Sequence, residues 1–452
     1  MKTVFITITR GTLARNILRA GVLDKFLKQE DIRVVILIET KIYDYFKAEF
    51  DHPRIIIERI PNKILGKFRR LFNILFNGLV YTETEHRMLK YGGANKKPAA
   101  KHIYWLRHIG FSIASRIKLF KQIARWMEKN ILIEKDYDYL FEKFNPDLVF
   151  SSSIYSKPDT ILIKAARRFK IPSVSMPKSW DTVGRLFFRA PSDKIILSND
   201  FMKDWVIKNQ LIKEKDILVA GIPQFDVYGN KQEYLSKEEF CQKTDLDPQK
   251  PIILYASEGL WTSWDWYYLN ELITKHNILN KYNIIARPHF SNLSDRPYDQ
   301  FKKYKGVYID DQNIRITDMF GDRWDPTKAN MDWLAEVINI SDVVVSFMTT
   351  FVLDVFAYDK PVVNIYYDSG LEEQKVPIKA LYNCVHYNAV LAEKSVALAK
   401  NSQETMDWID KYIKDSNIHS VERKKTVAKL CYQIDGRASD RIVSIIIETL
   451  NK

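Results

Sequence analysis

The chain opens on an apolar, β-branched run, TVFITIT, followed by a turn at Arg10-Gly11 and then TLARNILRAGVLDKFLK, whose apolar positions recur at helical spacing. This pattern predicts a strand, a turn and a helix. RVVILIE, RIIIERI and FNPDLVFSSS predict further strands, and after the helix-and-strand run KAARRFKIPSVSM, KIILSND adds another before the helix FMKDWVIKNQLI. Polar sequence takes over from Asp226 to Lys250 and predicts a linker with a short helix. Beyond it the alternation restarts with PIILYAS, YNIIARPH, GVYID, ISDVVVSF and KPVVNIYY. Short apolar strands alternating with helices predict parallel sheets covered on both faces. The expected fold is therefore α/β, with two doubly wound, Rossmann-like lobes facing a cleft where ligands meet strand carboxyl ends. The expected division is residues 1–230 and 231–452, with a terminal helix from about Arg437 returning towards the first lobe.

Residues 61–130 break this rhythm and predict a helical insertion in the first lobe. Between Pro61 and Lys129 lie 15 Lys and Arg but three acids, Glu83, Glu85 and Glu128, interleaved with aromatic residues. Trp105, Ile109, Ile113, Ile117 and Phe120 recur every three or four positions, so an apolar face can alternate with a basic one. Such a helix either packs as an insertion with a solvated basic face or lies on an anionic bilayer, and the pattern leaves both open.

Composition narrows the class. A length of 452 residues is more than one core usually serves, and 46% hydrophobic with 28% charged residues excludes a disordered or fibrous chain. The net charge of +13 points towards anionic lipid, nucleic acid or phosphorylated metabolites. Cys241, Cys384 and Cys431 lie far apart, which excludes a disulfide framework or Cys-rich zinc site and suits a reducing compartment. No signal-peptide pattern or bilayer-length apolar run is present, so the expected location is cytoplasmic, including the inner face of the membrane.

The first βα turn, TRGTLARN, is not GxGxxG, and no GxxxxGK[ST] loop occurs, so a dinucleotide cofactor and a P-loop lose their main support. Arg10, Arg15 and Asn16 nevertheless stand at or just beyond a strand end, as cleft-facing groups that bind the acceptor together with Lys178 and Trp180, or as an ordinary exposed helical turn. In IIARPHFS, Pro288 stiffens a turn that carries Arg287 and His289, groups able to hold phosphate oxygens. DVVVSFMTTFVLD predicts a strand, with Ser346 near its end, leading into a helix that Thr349 or Thr350 can cap. Its start favours a diphosphate, and Asp354 lies one turn from Thr350. The histidines form no recognisable metal constellation; no cofactor is expected, and metal dependence stays open.

The succession GIPQFD (Gly221 to Asp226), ARPH (Ala286 to His289), SDVVVSFMTTFVLD (Ser341 to Asp354), KPVVNIYYD and DGRASDRI (Asp435 to Ile442) resembles bacterial GT-B-fold transferases. The nearest likeness is to the superfamily of CDP-glycerol glycerophosphotransferases, surface-carbohydrate glycosyltransferases and UDP-GlcNAc 2-epimerases. The resemblance implies a nucleotide-activated donor in the second lobe, with phosphates near His289, Ser346, Thr349 and Thr350. Two departures stand out: threonines replace the common serines at 349 and 350, and the first turn lacks a Gly-rich sequence or histidine. The second departure leaves the catalytic base to be found elsewhere.

One candidate base is Asp181 in SVSMPKSWDTVGR, beside Lys178 to offset phosphate charge and Trp180 to stack on a sugar; a similar SWD segment occurs in some transferases of this kind. The alternative is an Asx turn with a packed Trp. A second candidate is Glu258 in ASEGLWTSWDWYY, where Ser257 occupies the phosphate-facing turn and Trp261, Trp264 and Trp266 suggest a sugar platform, a lid or a lobe interface. The preferred reading is a glycosyltransferase carrying a sugar from a nucleotide donor to a lipid-linked or polysaccharide acceptor in cell-surface glycan synthesis. Polyol-phosphate transfer or 2-epimerisation on the same fold is the enzymatic alternative. A basic nucleic-acid-binding protein is the other, and it leaves the RPH and SFMTT motifs without a role.

Overall fold

A computed structural model describes residues 1–61, 67–92, 97–230, 233–259, 264–293, 296–311, 314–318, 320 and 322–452. The first sheet comprises β1 (Lys2–Ile8), β2 (Ile32–Glu39), β3 (Ile55–Ile60), β4 (Leu148–Ser151), β5 (Ser173–Ser175), β6 (Lys194–Leu197) and β7 (Ile217–Val219), in the order β3-β2-β1-β4-β5-β6-β7. The second comprises β8 (Ile252–Ala256), β9 (Asn283–Arg287), β10 (Val307–Ile309), β11 (Val343–Ser346), β12 (Val362–Ile365) and β13 (Ala397–Ala399), in the order β10-β9-β8-β11-β12-β13. All their pairings are parallel. Val4 stands opposite Val34 and Ile6 opposite Ile36, all fully buried, as strands covered on both faces require. The strand order reverses between β1 and β4 and between β8 and β11, which gives each sheet a switch point at its carboxyl edge.

The helix predicted after β1 is broken. A turn of helix, Gly11–Leu13, runs into a π-helical stretch, Ala14–Arg19, and Gly21, at φ +104°, separates it from the helix Val22–Leu27. The terminal helix Ala438–Leu450 packs on this region: Ile442, Val443 and Ile446 share a core with Val4, Leu18 and Leu23. Asp226 fixes where it starts, accepting the Ala438 and Ser439 N–H groups at 2.8 Å each. The aspartate that ends GIPQFD therefore caps the returning helix.

The insertion is helical: Lys67–Asn77, Glu83–Tyr91, Lys101–Ala114 and Lys118–Asn130. Buried Glu128 pins it to the lobe, accepting from Arg69 (2.8 Å) and from Lys164 (3.2 Å) on the helix Lys157–Phe169. Among the described residues, most exposed large hydrophobics lie between Leu71 and Ile133, including Leu106 at 76% and Trp126 at 58%. No described helix is long and apolar enough to cross a membrane.

Candidate active site

In the second lobe the chain leaves β8 through Ser257, Glu258 and Gly259. Asp265, which has no exposed surface, closes this turn: its Oδ2 accepts from Ser257 Oγ (2.5 Å), Glu258 N (3.0 Å) and Gly259 N (3.4 Å), and Oδ1 from Tyr298 OH (2.7 Å). A carboxylate thus fills the anion position that a βα turn offers. Ser257 is a structural donor to Asp265, which corrects its expected role on the donor phosphates. Gly259 has φ +78°, and a Cβ there would collide with His289, so the β8 turn and the RPH turn are in contact.

His289 Nδ1 accepts the Ser291 N–H (3.2 Å) and lies 2.8 Å from Ser291 Oγ. The proton of the neutral ring then sits on Nε2, a donor suited to a phosphate oxygen. Burial, with Arg287 adding to it, lowers the His289 pKa to about 4, so the ring is neutral at physiological pH. Arg287 pairs with buried Asp310, which also accepts Trp333 Nε1–H (2.7 Å). Its guanidinium is therefore committed to the lobe's interior before any donor arrives.

Ser346, at the end of β11, is buried and accepts Asn364 Nδ2–H (3.3 Å), which ties β11 to β12 instead of facing the cleft. The next helix is short, Val352–Phe356, and Phe351 rather than a threonine holds its N-cap position. Thr349 Oγ1 accepts the Phe351 N–H (3.3 Å), while Thr349 and Thr350 are the half-buried hydroxyls of the turn. Asp354 accepts Tyr228 OH at 2.6 Å. Burial pushes its carboxyl up to about 6 against the opposing pull of Tyr228 and Arg15.

The first-lobe turn is closed from outside its own lobe. Asp322 accepts Gly11 N (3.0 Å), Thr12 N (3.2 Å) and Thr12 Oγ1 (2.9 Å). Arg15 lies over Trp324, 5.1 Å from the ring centre, and Trp324 stacks on Phe290 beside His289. Arg15 therefore lies against the second lobe, on the aromatic pair that leads to His289. Asn16 is a buried clamp, donating to Lys178 O (3.1 Å) and accepting Arg15 Nε–H (3.0 Å), so both ends of its amide are engaged within the protein. Arg10 is exposed and Lys178 half-buried.

Trp180 is buried, edge-on to His386 of the second lobe at 5.3 Å, so it fills the lobe interface and offers no face to a sugar. Asp181 pairs with Arg185 (2.6 Å). Burial alone would raise its pKa, but Arg185, His386 and Lys178 outweigh this and hold it at about 2. Such a carboxylate is a weak base until those charges are met by an anion. His386 itself is buried, lowered to about 4 chiefly by burial, and its Nδ1 has no hydrogen-bond partner among the described residues. Glu258 is buried within electrostatic reach of Arg87. The insertion joins both lobes here: Thr82 Oγ1 donates to Gly184 O (2.8 Å), Val385 N to Thr84 Oγ1 (3.1 Å), and Arg87 to Leu381 O. Trp264 is buried in the second-lobe core and Trp266 begins the helix Trp266–Thr274, whereas Trp261 lies outside the described residues.

Sequence reasoning missed Asp265, Asp322, Tyr228 and His386. Among the described residues, no group of three or more His, Cys, Asp and Glu is placed to hold a metal ion. A cavity of about 840 Å³ lies below the linker, lined by Asp226, Trp333 and Glu336, and none of the candidate residues borders it.

Solved structures share this architecture from end to end. A UDP co-structure of MnaA from S. aureus superposes with a TM-score of 0.56 at 12% identity, covering 100% of this chain and 97% of that one. UDP-GlcNAc 2-epimerase from Neisseria meningitidis, bound to UDP-GlcNAc, gives 0.52 at 14% identity with 100% of each chain covered. The wall teichoic acid polymerase TagF gives 0.50 at 12% identity, covering 100% and 88%. These likenesses show a shared fold, of the GT-B type. No curated protein matches in sequence. The sequence pattern of one transferase family does match, over residues 188–448 and so over more than half of the chain: the protein belongs to the CDP-glycerol:poly(glycerophosphate) glycerophosphotransferase family.

Proposed function

We infer that the protein transfers a group from a nucleotide-activated donor, held by the second lobe, to a lipid-linked or glycan acceptor held by the first, in the synthesis of a cell-surface polymer. The observation that carries this is the placement of His289, Thr349, Thr350 and Asp354 around the β8/β11 switch point, with Arg10, Lys178 and Asp181 at the carboxyl edge of the first sheet. The His289 Nε2–H and the two threonine hydroxyls donate to the diphosphate, and the charge that grows on the leaving phosphate strengthens those bonds. Asp354 accepts a donor hydroxyl. Asp181 takes the acceptor proton once an anion offsets Arg185 and Lys178.

A sugar is the first reading for the transferred group. Glycerol phosphate is the second, and the family match favours it. Incubating the protein and a membrane acceptor with a panel of UDP-sugars and CDP-glycerol separates them: the donor that yields an extended product names the group. A UDP-sugar returned as its 2-epimer without acceptor, or no product from any donor, would contradict transfer.

The apolar and basic outer face of the insertion supports docking on the inner face of an anionic membrane, where each Lys or Arg near the surface contributes about 1 kcal/mol. Sedimentation with anionic vesicles should fall at high salt. Equal behaviour on neutral vesicles would leave the insertion a packing element.

A further inference from the structure

The insertion helix Glu83–Tyr91 is laid against the other lobe. Thr84, Arg87 and Tyr91 recur at helical spacing and so share one face. That face meets the second lobe: Thr84 and Arg87 are buried, and Tyr91 packs on the hydrophobic cluster that runs through that lobe. Opposite them stand two short helices, Ile378–Tyr382 and Val385–Ala392, separated by Asn383 and Cys384. Short helices are mostly ends, and each end leaves N–H or C=O groups without a partner inside the helix. Cys384 holds the N-cap of the second helix with a thiol, a weak acceptor, and the Val385 N–H is met by Thr84 Oγ1 (3.1 Å). The Leu381 carbonyl, in the last turn of the first helix, accepts from Arg87. One helix of the insertion thus supplies an acceptor and a donor that two helix ends of the other lobe would otherwise take from water.

Both sides of this contact are anchored. In the second lobe, Tyr382 OH donates to Ile365 O (2.8 Å) at the end of β12. In the insertion, Tyr104 OH lies 2.8 Å from His86 Nε2 and Tyr81 OH 2.9 Å from His108 Nδ1, and the two imidazoles stack 4.6 Å apart, which fixes the helix to its neighbour Lys101–Ala114. Thr82, at the N-cap of Glu83–Tyr91, donates to Gly184 O, and a Cβ on Gly184 would stand 3.2 Å from Val385. The first-lobe loop that carries Trp180, Asp181 and Arg185 therefore touches the same two partners, the insertion helix and the start of Val385–Ala392.

We propose that this helix is an interlobe latch: by capping the second lobe's helices, Thr84 and Arg87 hold the lobes at the separation from which Asp181 reaches the acceptor hydroxyl opposite the donor phosphate. They are positioning residues for transfer and act through Asp181. The assignment rests on the transferase reading and adds to it a means of closure. Losing either bond leaves a buried polar group unmet unless the lobes part and admit water. A parted cleft no longer aligns the two substrates, so the chemical step slows while a donor held by one lobe alone stays bound.

Hydrogen–deuterium exchange of the full chain, read by mass spectrometry in Thr84→Val and Arg87→Met, tests the latch without any substrate. Peptides containing Val385 should exchange at least tenfold faster in both variants, as the loss of a local cap alone would also cause. The deciding peptides contain Gly11 and Thr12, whose N–H groups are covered by Asp322 of the other lobe. These too should exchange at least tenfold faster, and Arg87→Lys should restore most of the protection. With CDP-glycerol, or whichever UDP-sugar is accepted, and a membrane acceptor, turnover should fall at least tenfold while affinity for UDP or CDP stays within twofold. A rise confined to Val385 would reduce the two bonds to local caps and overturn the proposal, as would full turnover in both variants. A matching loss of nucleotide affinity would put Arg87 on the donor and overturn it as well. Should Arg87→Met fail to fold, the nearly isosteric Thr84→Val carries the same comparison. A wild type that turns over no donor would sink the transferase reading, and exchange at Gly11 and Thr12 would still decide whether the latch exists.

Discussion

In the second lobe the turn after β8 is closed by Asp265, a residue of the same lobe; in the first lobe the equivalent turn after β1 is closed by Asp322, which reaches over from the other lobe. The two sheets share one strand order and switch point, apart from the added edge strand β7 of the first, so the difference lies in the source of the carboxylate. A site closed from within its own lobe keeps its shape as lobes move, whereas a turn closed from across the interface depends on their contact. Donor binding should therefore be insensitive to the lobe interface, and transfer to the acceptor should be sensitive to it.

The largest expected effect is on transfer. Asp181→Asn is nearly isosteric and should lower turnover by about 100- to 10,000-fold while nucleotide affinity stays near normal. Glu258→Gln is the control for the rival base. Full turnover in the Asp181 variant would remove the first lobe from the chemistry.

Next comes the comparison of the two closing carboxylates. Asp265→Asn leaves buried donors short of an acceptor, at about 1–3 kcal/mol each, and should lower both the melting temperature and nucleotide affinity. Asp322→Asn should slow transfer yet leave nucleotide affinity within about twofold, since its partners lie in the other lobe. Nucleotide titrations of both variants decide the point: equal losses would mean that the two turns work as one unit.

Much of this architecture could be read from hydrophobic alternation, and the exceptions have physical causes. β7 (ILV) and β13 (ALA) escaped, and ALA lacks β-branched side chains altogether. The helix after β1 has a continuous apolar pattern, but Gly21 and the π-helical stretch break it, and a π-turn leaves little trace in periodicity. At the site, His289 and the threonine turn were visible because each sits beside its own strand end. Asp265 lies among tryptophans whose pattern suggests a sugar platform, a lid or a lobe interface and gives no sign of a buried carboxylate. Asp322, Tyr228 and His386 have partners 311, 126 and some 200 positions away, respectively, and pairings at such separations are set by packing alone. Ser346 and Trp180 sit within the expected motifs, yet burial turns one towards Asn364 and the other into the lobe interface.

A smaller effect concerns pH. The Asp354 pKa is raised on folding, from an ordinary 3.8 to about 6, because burial disfavours its charge. The folded state therefore keeps a proton that the unfolded chain has lost, and stability falls as pH rises from about 4 to about 6. Asp354→Asn should remove a penalty of up to about 3 kcal/mol at pH 7.5 and make no difference at pH 3.5. Melting curves across that range check it. A variant less stable at pH 7.5 would mean that the carboxylate is held charged in the fold, by the Tyr228 hydrogen bond and then by Arg15.

The central claim is that a nucleotide diphosphate binds at the second-lobe switch point. Titration calorimetry with UDP and CDP against the wild-type protein, His289→Ala and Thr349→Ala measures this directly. The account predicts binding of at least one nucleotide by the wild type and a loss of about 1.5–3 kcal/mol in His289→Ala, with a smaller loss in Thr349→Ala and an unchanged fold by circular dichroism. Unchanged affinity in both variants would contradict it.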